Sequence, residues 1–114
     1  MELAETVHGR VALAFAQAIA GGDYSSAHEM LCSRLAQEVS AADLAAAYRQ
    51  MCSCGSPSTL RVMGILRDWA GRRDGDIGWA YVAMTGDALS EAVAVVVTNE
   101  GKKPLIRELE WGAP

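Results

Sequence analysis

The sequence has few cysteines, no excess of positive charge and no long apolar run, and each shortage excludes a class of protein. Three cysteines in 114 residues are too few, and odd in number, for a secreted scaffold held by disulfides. Ten basic and 14 acidic residues give a net charge of −4, which argues against a duplex nucleic-acid binder with a basic face. The most apolar stretch, 92–97, is far shorter than the roughly 20 residues of a membrane helix.

We expect no export signal in the N-terminal region. It begins with Glu2 and Glu5 rather than with basic residues ahead of an apolar run. We therefore expect a cytoplasmic protein with no membrane partner, whose thiols stay reduced. With 51% hydrophobic and 21% charged residues, the composition is typical of a compact globular chain and excludes disorder. The length predicts a single domain over 1–114.

Motifs for phosphate, metal and nucleophilic chemistry are also missing. No Gly-rich loop lies between a strand and a helix, and there is no nucleophile elbow. The nearest approach to a zinc site is His28 and Cys32, spaced four apart, with Cys52 and Cys54. The spacing lacks paired Cys-x-x-Cys units, and buried cysteines usually behave as small apolar side chains. We expect no metal and no cofactor.

The first half of the chain, up to Gly55, has the apolar spacing of helices. Three are predicted: one over Leu3 to Ala20, one after the cap residue Asp23 and one after the cap residue Ser40. His8 lies beside the apolar stripe of the first helix, where a solvated or locally bonded ring is expected. That stripe consists of Leu3, Val7, Val11, Phe15 and Ile19.

The second half is rich in β-branched and aromatic residues with a period of two. Four strands are predicted at about 60–69, 77–84, 89–98 and 105–111, the last three joined by hairpin turns at Gly86-Asp87 and Glu100-Gly101. Segregated helices followed by an antiparallel meander predict an α+β fold.

The third predicted strand is apolar on both faces. Val93, Val95 and Val97 point one way, and Ala92, Ala94 and Val96 point the other. An antiparallel sheet with one solvated face alternates apolar and polar residues instead. Helices can cover one face, and a second copy of the chain is the simplest cover for the other. We therefore expect a homodimer.

Two segments carry a family resemblance. Residues 15–27, Phe-Ala-Gln-Ala-Ile-Ala-Gly-Gly-Asp-Tyr-Ser-Ser-Ala, resemble the opening of the nuclear transport factor 2-like superfamily, and residues 106–112, Ile-Arg-Glu-Leu-Glu-Trp-Gly, resemble its last strand. The resemblance implies a cystatin-like cone: three N-terminal helices lie in the concavity of a curved antiparallel sheet, with a pocket at the open end. It also implies dimerisation through the outer face of the sheet.

The superfamily contains both enzymes and non-catalytic proteins, so the fold does not decide activity. We expect a non-catalytic, dimeric domain that binds a small molecule or a protein, in an adaptor or immunity-type role. The alternative is an isomerase, cyclase or dehydratase acting on an apolar substrate in the cone. No catalytic motif of the family can be carried over. A buried carboxylate or a His–Asp pair inside the cone would favour the enzyme.

Two-residue hairpin loops would place seven residues on one sheet face: Trp79, Tyr81, Ala92, Ala94, Arg107, Leu109 and Trp111. We expect this face to turn towards the helices and to bind a small apolar or acidic ligand. Aromatic walls and small alanines would leave room, Arg107 would hold an acidic group, and Tyr48 would close the mouth. The alternative is an ordinary aromatic core with a salt-bridged arginine.

The same register places Glu91, Glu108 and Glu110 on the opposite face. Crowded carboxylates can share a proton and supply a general acid with a raised pKa. The alternative is that they are solvated near a sheet edge or paired with Arg61 or Arg67.

Overall fold

The computed structural model describes residues 3–53 and 55–112. Its elements, in chain order, are a 3-10 turn (Leu3–Glu5), α1 (Val7–Ala20), α2 (Tyr24–Glu29), α3 (Ser33–Glu38), α4 (Ala41–Met51), β1 (Thr59–Leu66), β2 (Asp76–Gly86), β3 (Leu89–Glu100) and β4 (Lys103–Gly112). The strands form one antiparallel sheet in the order β1-β2-β3-β4. The predicted α+β class, with helices before an antiparallel meander, is confirmed.

The region predicted as one second helix is two short helices, α2 and α3. Between them, the chain runs beside the edge of β4: the Cys32 amide donates to the Ile106 carbonyl over 2.7 Å, and the Ile106 amide donates to the Met30 carbonyl over 2.8 Å. A helix cannot continue through residues whose backbone groups bond to a strand. The described residues therefore contain four α-helices rather than three.

Side-chain caps begin three of the helices, because the first amides of a helix lack partners within it. Thr6 accepts from the Gly9 amide ahead of α1, and Asp23 accepts from the Ser26 amide ahead of α2. Ser40 and Asp43 form a reciprocal capping box at α4. The caps predicted at Asp23 and Ser40 are confirmed. Among the helices of 3–53, none combines the length and the apolar content needed to cross a bilayer.

The core lies between α1 and one face of the sheet, which we call the inner face. The α1 residues Phe15, Ala16 and Ile19 are fully buried there. Val7, a member of the predicted apolar stripe, is 40% exposed rather than buried. Residues spaced four apart are rotated by about 40° at each step, so a stripe with that spacing drifts around the helix. The inner-face strand residues in this core are Val62, Ala80, Val82, Met84, Val93, Val95, Val97 and Ile106.

Both hairpins are shifted from the expected register, and the second also contains a bulge. The turn expected at Gly86-Asp87 would pair Val82 with Glu91, but Val82 pairs with Val93, a shift of two residues that leaves every side chain of this hairpin on its predicted face. The β3–β4 pairing is shifted by two residues as well, since Val97 rather than Val95 pairs with Ile106. It also contains an irregularity between Val96 and Val97, which accommodates Arg107 as an extra residue. Beyond such a bulge the faces exchange. Val93 consequently pairs with Trp111.

Candidate binding surface

The outer face of the sheet, opposite the helix core, carries an apolar surface. Trp79 and Tyr81 stand two residues apart on β2, with ring centroids 5.9 Å apart and planes 25° from parallel. Beside them on β3, Ala92, Ala94 and Val96 are at most 8% exposed. We call Leu66, Trp79, Tyr81, Ala92, Ala94 and Val96 the outer-face patch.

Strand β1 extends this patch. Its pairing with β2 shifts between Val62 and Gly64, and beyond the shift Leu66 pairs with Trp79. A Cβ placed on Gly64 would lie 4.0 Å from the Trp79 ring, so the indole lies beside bare backbone at that position. Leu66 is 45% exposed. The patch therefore combines protruding side chains on β1 and β2 with a low floor on β3.

Two depressions open along this face. A small one of about 150 Å3 lies over Ala92 and Ala94, between Tyr81 on one side and Glu110 on the other. A larger groove of about 720 Å3 continues towards the β1–β2 loop, where Trp69, Arg73 and Arg107 line it together with Trp79. Both depressions exist because the β3 side chains are smaller than their neighbours on β2 and β4.

Arg107 closes one end of the groove through an ion pair with Asp76. Its Nε donates to Asp76 Oδ1 over 2.9 Å and its Nη2 to Asp76 Oδ2 over 2.7 Å. Nη1 donates to Glu108 over 2.8 Å, and Nη2 also reaches the Gly71 carbonyl at 3.3 Å. Both members of the pair are buried, with side chains 8% and 0% exposed. Burial of the two charges is tolerated because the bidentate geometry satisfies both.

The ion pair also sets the ionisation of Asp76. Hydrogen bonds from Arg107 lower the pKa of this carboxyl to about 2, with help from the Arg73 amide and against the opposing effect of burial. Asp76 is therefore a permanent anion at neutral pH, and Arg107 is its partner. A guanidinium committed to two carboxylates and a carbonyl has little capacity left for a ligand anion.

The structure brings together only part of the set of five residues expected to form a ligand pocket: Trp79, Tyr81 and Trp111 line the small depression, and Trp79 and Arg107 line the larger groove. Trp79, Tyr81 and Arg107 lie on the outer side of the sheet, so the expectation that their face turns towards the helices is wrong. Trp111 instead contacts Phe15 of α1, with ring centroids 6.2 Å apart. Tyr48 belongs to the buried core, where burial raises the pKa of its hydroxyl.

The three strand glutamates are also separated. Glu91 pairs with Met84, whose side chain is on the inner face, whereas Glu110 pairs with Ala94 and Glu108 with Val96 on the outer face. Glu108 is bound to Arg107. The bulge that exchanges the faces of β4 thus removes the expected cluster of three carboxylates.

His8 is a buried polar group whose environment the sequence analysis missed. It is 3% exposed, and within the described residues neither ring nitrogen has a hydrogen-bond partner. Burial, followed by the positive charge of Arg67, lowers its pKa. A Cβ on Gly78 would lie 2.4 Å from the imidazole. The available signal was the spacing of His8 with Ala12, Phe15 and Ile19, which follows the buried face of α1 more closely than the predicted stripe does.

No group of three or more potential metal ligands occurs within 3–53 and 55–112. His28 Nε2 donates to the Ala36 carbonyl over 3.0 Å, and Cys32 is buried. Cys54, the fourth residue of the possible zinc site in the sequence, lies outside the described residues.

The outer face thus combines an apolar patch, a groove and an Arg107–Asp76 pair whose hydrogen bonds are satisfied. Comparison with protein-family models, with curated proteins and with solved structures finds no match.

Proposed function

We propose that the chain is a non-catalytic protein-binding domain that works as a homodimer, with the outer-face patch packed against a second copy. The observation that carries the proposal is the patch itself: on the sheet face opposite the helix core, Leu66 is exposed and Trp79 and Tyr81 are half-buried. Soluble monomers rarely leave contiguous aromatic and aliphatic side chains facing water.

The size of the sheet supports a second copy as the partner. Four strands spaced about 4.8 Å apart, each about ten residues long, offer a face of roughly 600 Å2. Two such faces would bury about 1,200 Å2 in total, which is at the lower end of stable interfaces. Face-to-face packing of two sheets is a common arrangement.

The buried polar groups favour binding over catalysis. The enzyme alternative calls for a buried carboxylate or a His–Asp pair within the cone. In the described part of the chain, the buried histidine is His8, which has no hydrogen-bond partner, and the buried carboxylate is Asp76, which Arg107 neutralises at the outer face. Neither arrangement poises a proton for transfer to a substrate.

The proposal includes membership of the nuclear transport factor 2-like superfamily. The support is the α+β order of elements, with helices packed on one face of an antiparallel meander, together with the resemblance of residues 15–27 and 106–112. Dimerisation through the outer sheet face, which that resemblance implies, uses the same surface as the outer-face patch.

The test is the oligomeric state in solution. Light scattering and sedimentation at micromolar concentration should give about twice the chain mass of 12.1 kDa. Tyr81→Lys should produce a folded monomer, because it places a charge in the apolar centre of the interface. The matched control is Val7→Lys, which alters an exposed apolar residue on α1 and should leave the dimer intact. A monomeric wild type, or a Tyr81→Lys variant that still dimerises, would overturn the proposal.

The larger groove favours a second candidate, a small apolar or acidic ligand. Trp69 and Trp79 supply apolar walls. Arg73 also lines the groove, together with Arg107, which is already paired with Asp76. A screen of aryl and alkyl carboxylates should then find a compound that raises the melting temperature of the wild type. Trp69→Ala should abolish that shift without changing the oligomeric state. If no carboxylate raises the melting temperature, this candidate fails.

A further inference from the structure

The outer face carries an exposed basic residue at one edge and an exposed acidic residue at the other. Arg61 lies on β1, paired with Ala83, and Glu110 lies on β4, paired with Ala94. Among the described residues, neither forms an ion pair, whereas Arg107 and Glu108 on the same face are already bonded to each other. The face is therefore apolar in the middle, basic along β1 and acidic along β4.

A twofold axis can relate two such faces in two ways. If the axis runs parallel to the strands, β1 of one copy lies over β4 of the other, and β2 lies over β3. If the axis runs across the strands, each strand lies over its own counterpart. A closed dimer uses the same patch on both subunits. The two arrangements nevertheless bring different residues of that patch into contact.

Side-chain size favours the parallel axis. Tyr81 is level with Ala94, and Trp79 is level with Val96, in the register of β2 and β3. With the axis parallel to the strands, each aromatic ring of one copy therefore descends onto the low β3 floor of the other. The other arrangement sets aromatic rings against aromatic rings and leaves the alanines facing each other across a gap, which close packing disfavours.

Charge favours the same arrangement. The parallel axis brings the basic β1 edge of each copy over the acidic β4 edge of the other. Arg61 is level with Ala92, which lies two residues along β3 from Ala94, the partner of Glu110. That offset is about 7 Å along the strand, a distance that an extended arginine side chain spans. The arrangement across the strands sets each β1 edge over the β1 edge of the other copy, so Arg61 meets no Glu110 there.

We infer that Arg61 of each copy forms an ion pair with Glu110 of the other copy, and that the two pairs fix a dimer whose twofold axis runs parallel to the strands. The inference rests on the proposed function, since it concerns the same outer-face patch. The ion pairs select the orientation of the two sheets, while the apolar centre supplies most of the affinity.

Charge reversal and mixing test the inference. Arg61→Glu and Glu110→Arg should each raise the dissociation constant of the homodimer at least tenfold. In either variant homodimer, both contacts between positions 61 and 110 join like charges. Mixing the two variants in equal amounts should restore association to within about threefold of wild type, since every contact in the mixed dimer again joins opposite charges. Arg49→Glu, the same change on exposed α4 surface, should have no effect. Sedimentation at low ionic strength gives the dissociation constants, and circular dichroism confirms folding.

The outcomes separate the inference from the proposed function. Recovery in the mixture supports the ion pairs, because two misfolded variants would not repair each other. A wild type that dimerises while both single variants associate equally well would overturn the ion pairs and leave the dimer standing. Weakened variants that stay weak when mixed would also overturn them. A monomeric wild type would overturn both.

Discussion

Among individual residues, the buried pair of Arg107 and Asp76 has the clearest energetic consequence. Arg107→Leu would leave the Asp76 carboxylate, whose side chain is 0% exposed, without its bidentate partner. Removing one member of a buried ion pair typically costs about 3–5 kcal/mol. We expect a loss of that size in the free energy of unfolding, measured by urea denaturation at pH 7.

Two controls show that the loss comes from burial. Glu38→Gln removes the exposed Arg34–Glu38 pair, whose side chains are 52% and 56% exposed, and should cost less than about 1 kcal/mol. Arg107→Lys should recover only part of the stability, because an ammonium cannot form the two parallel hydrogen bonds. Equal effects of Arg107→Leu and Glu38→Gln would contradict the structural role of the pair.

His8 predicts a dependence of stability on pH. Burial lowers its pKa in the folded chain, so the unfolded chain binds the proton more tightly. As the pH falls below about 6.5, His8 protonates in the unfolded state while the folded ring stays neutral. Stability should therefore fall, by at most about 1.4 kcal/mol for each pH unit.

The measurement compares unfolding free energies at pH 7.5 and 5.5. His8→Leu should flatten the difference between these values relative to wild type, because it removes the titrating ring and leaves the other titratable groups unchanged. An identical pH dependence in both proteins would show that His8 does not contribute to it.

Between helix and strand, His8 and Gly78 form a contact that sets how α1 lies on β2. A Cβ at position 78 would come within 2.4 Å of the imidazole, so Gly78→Ala should cost about 1–3 kcal/mol by overpacking. In the His8→Ala background, the same change should cost far less. Thermal and urea unfolding of both single variants and the double variant give the coupling energy. Additive effects would mean that the two positions do not constrain each other.

The elements differ in how far the sequence could predict them. Caps such as Asp23 and Ser40, and the order of helices and strands, follow from short-range patterns that the local chain determines. The break between α2 and α3 depends on backbone bonds to Ile106, and the bulge at Arg107 accompanies its bonds to Asp76. Such long-range contacts leave no periodic signal, so sequence reasoning placed Trp111 on the wrong face.

Across the whole molecule, the candidate surface could be predicted in part. The two-sided apolar pattern of β3 indicated an outer face in need of cover, and Trp79 and Tyr81 do share that face. The direction of the face could not be deduced, because both faces of β3 are apolar and only packing against α1 distinguishes them. The partners of Arg107 were unpredictable for the same reason: Asp76 comes near it only through the fold.

Self-association should also be visible in thermal unfolding. If two copies unfold together, mass action makes the melting temperature rise with protein concentration. For a dimer of 114-residue chains, a tenfold increase in concentration should raise the melting temperature by roughly 3 °C, given the usual unfolding entropy per residue. Tyr81→Lys should remove this dependence, and Val7→Lys should retain it. Calorimetry over a hundredfold range of concentration makes the comparison. A melting temperature of the wild type that does not change with concentration would mean that the apolar outer face is stable in water without a second copy.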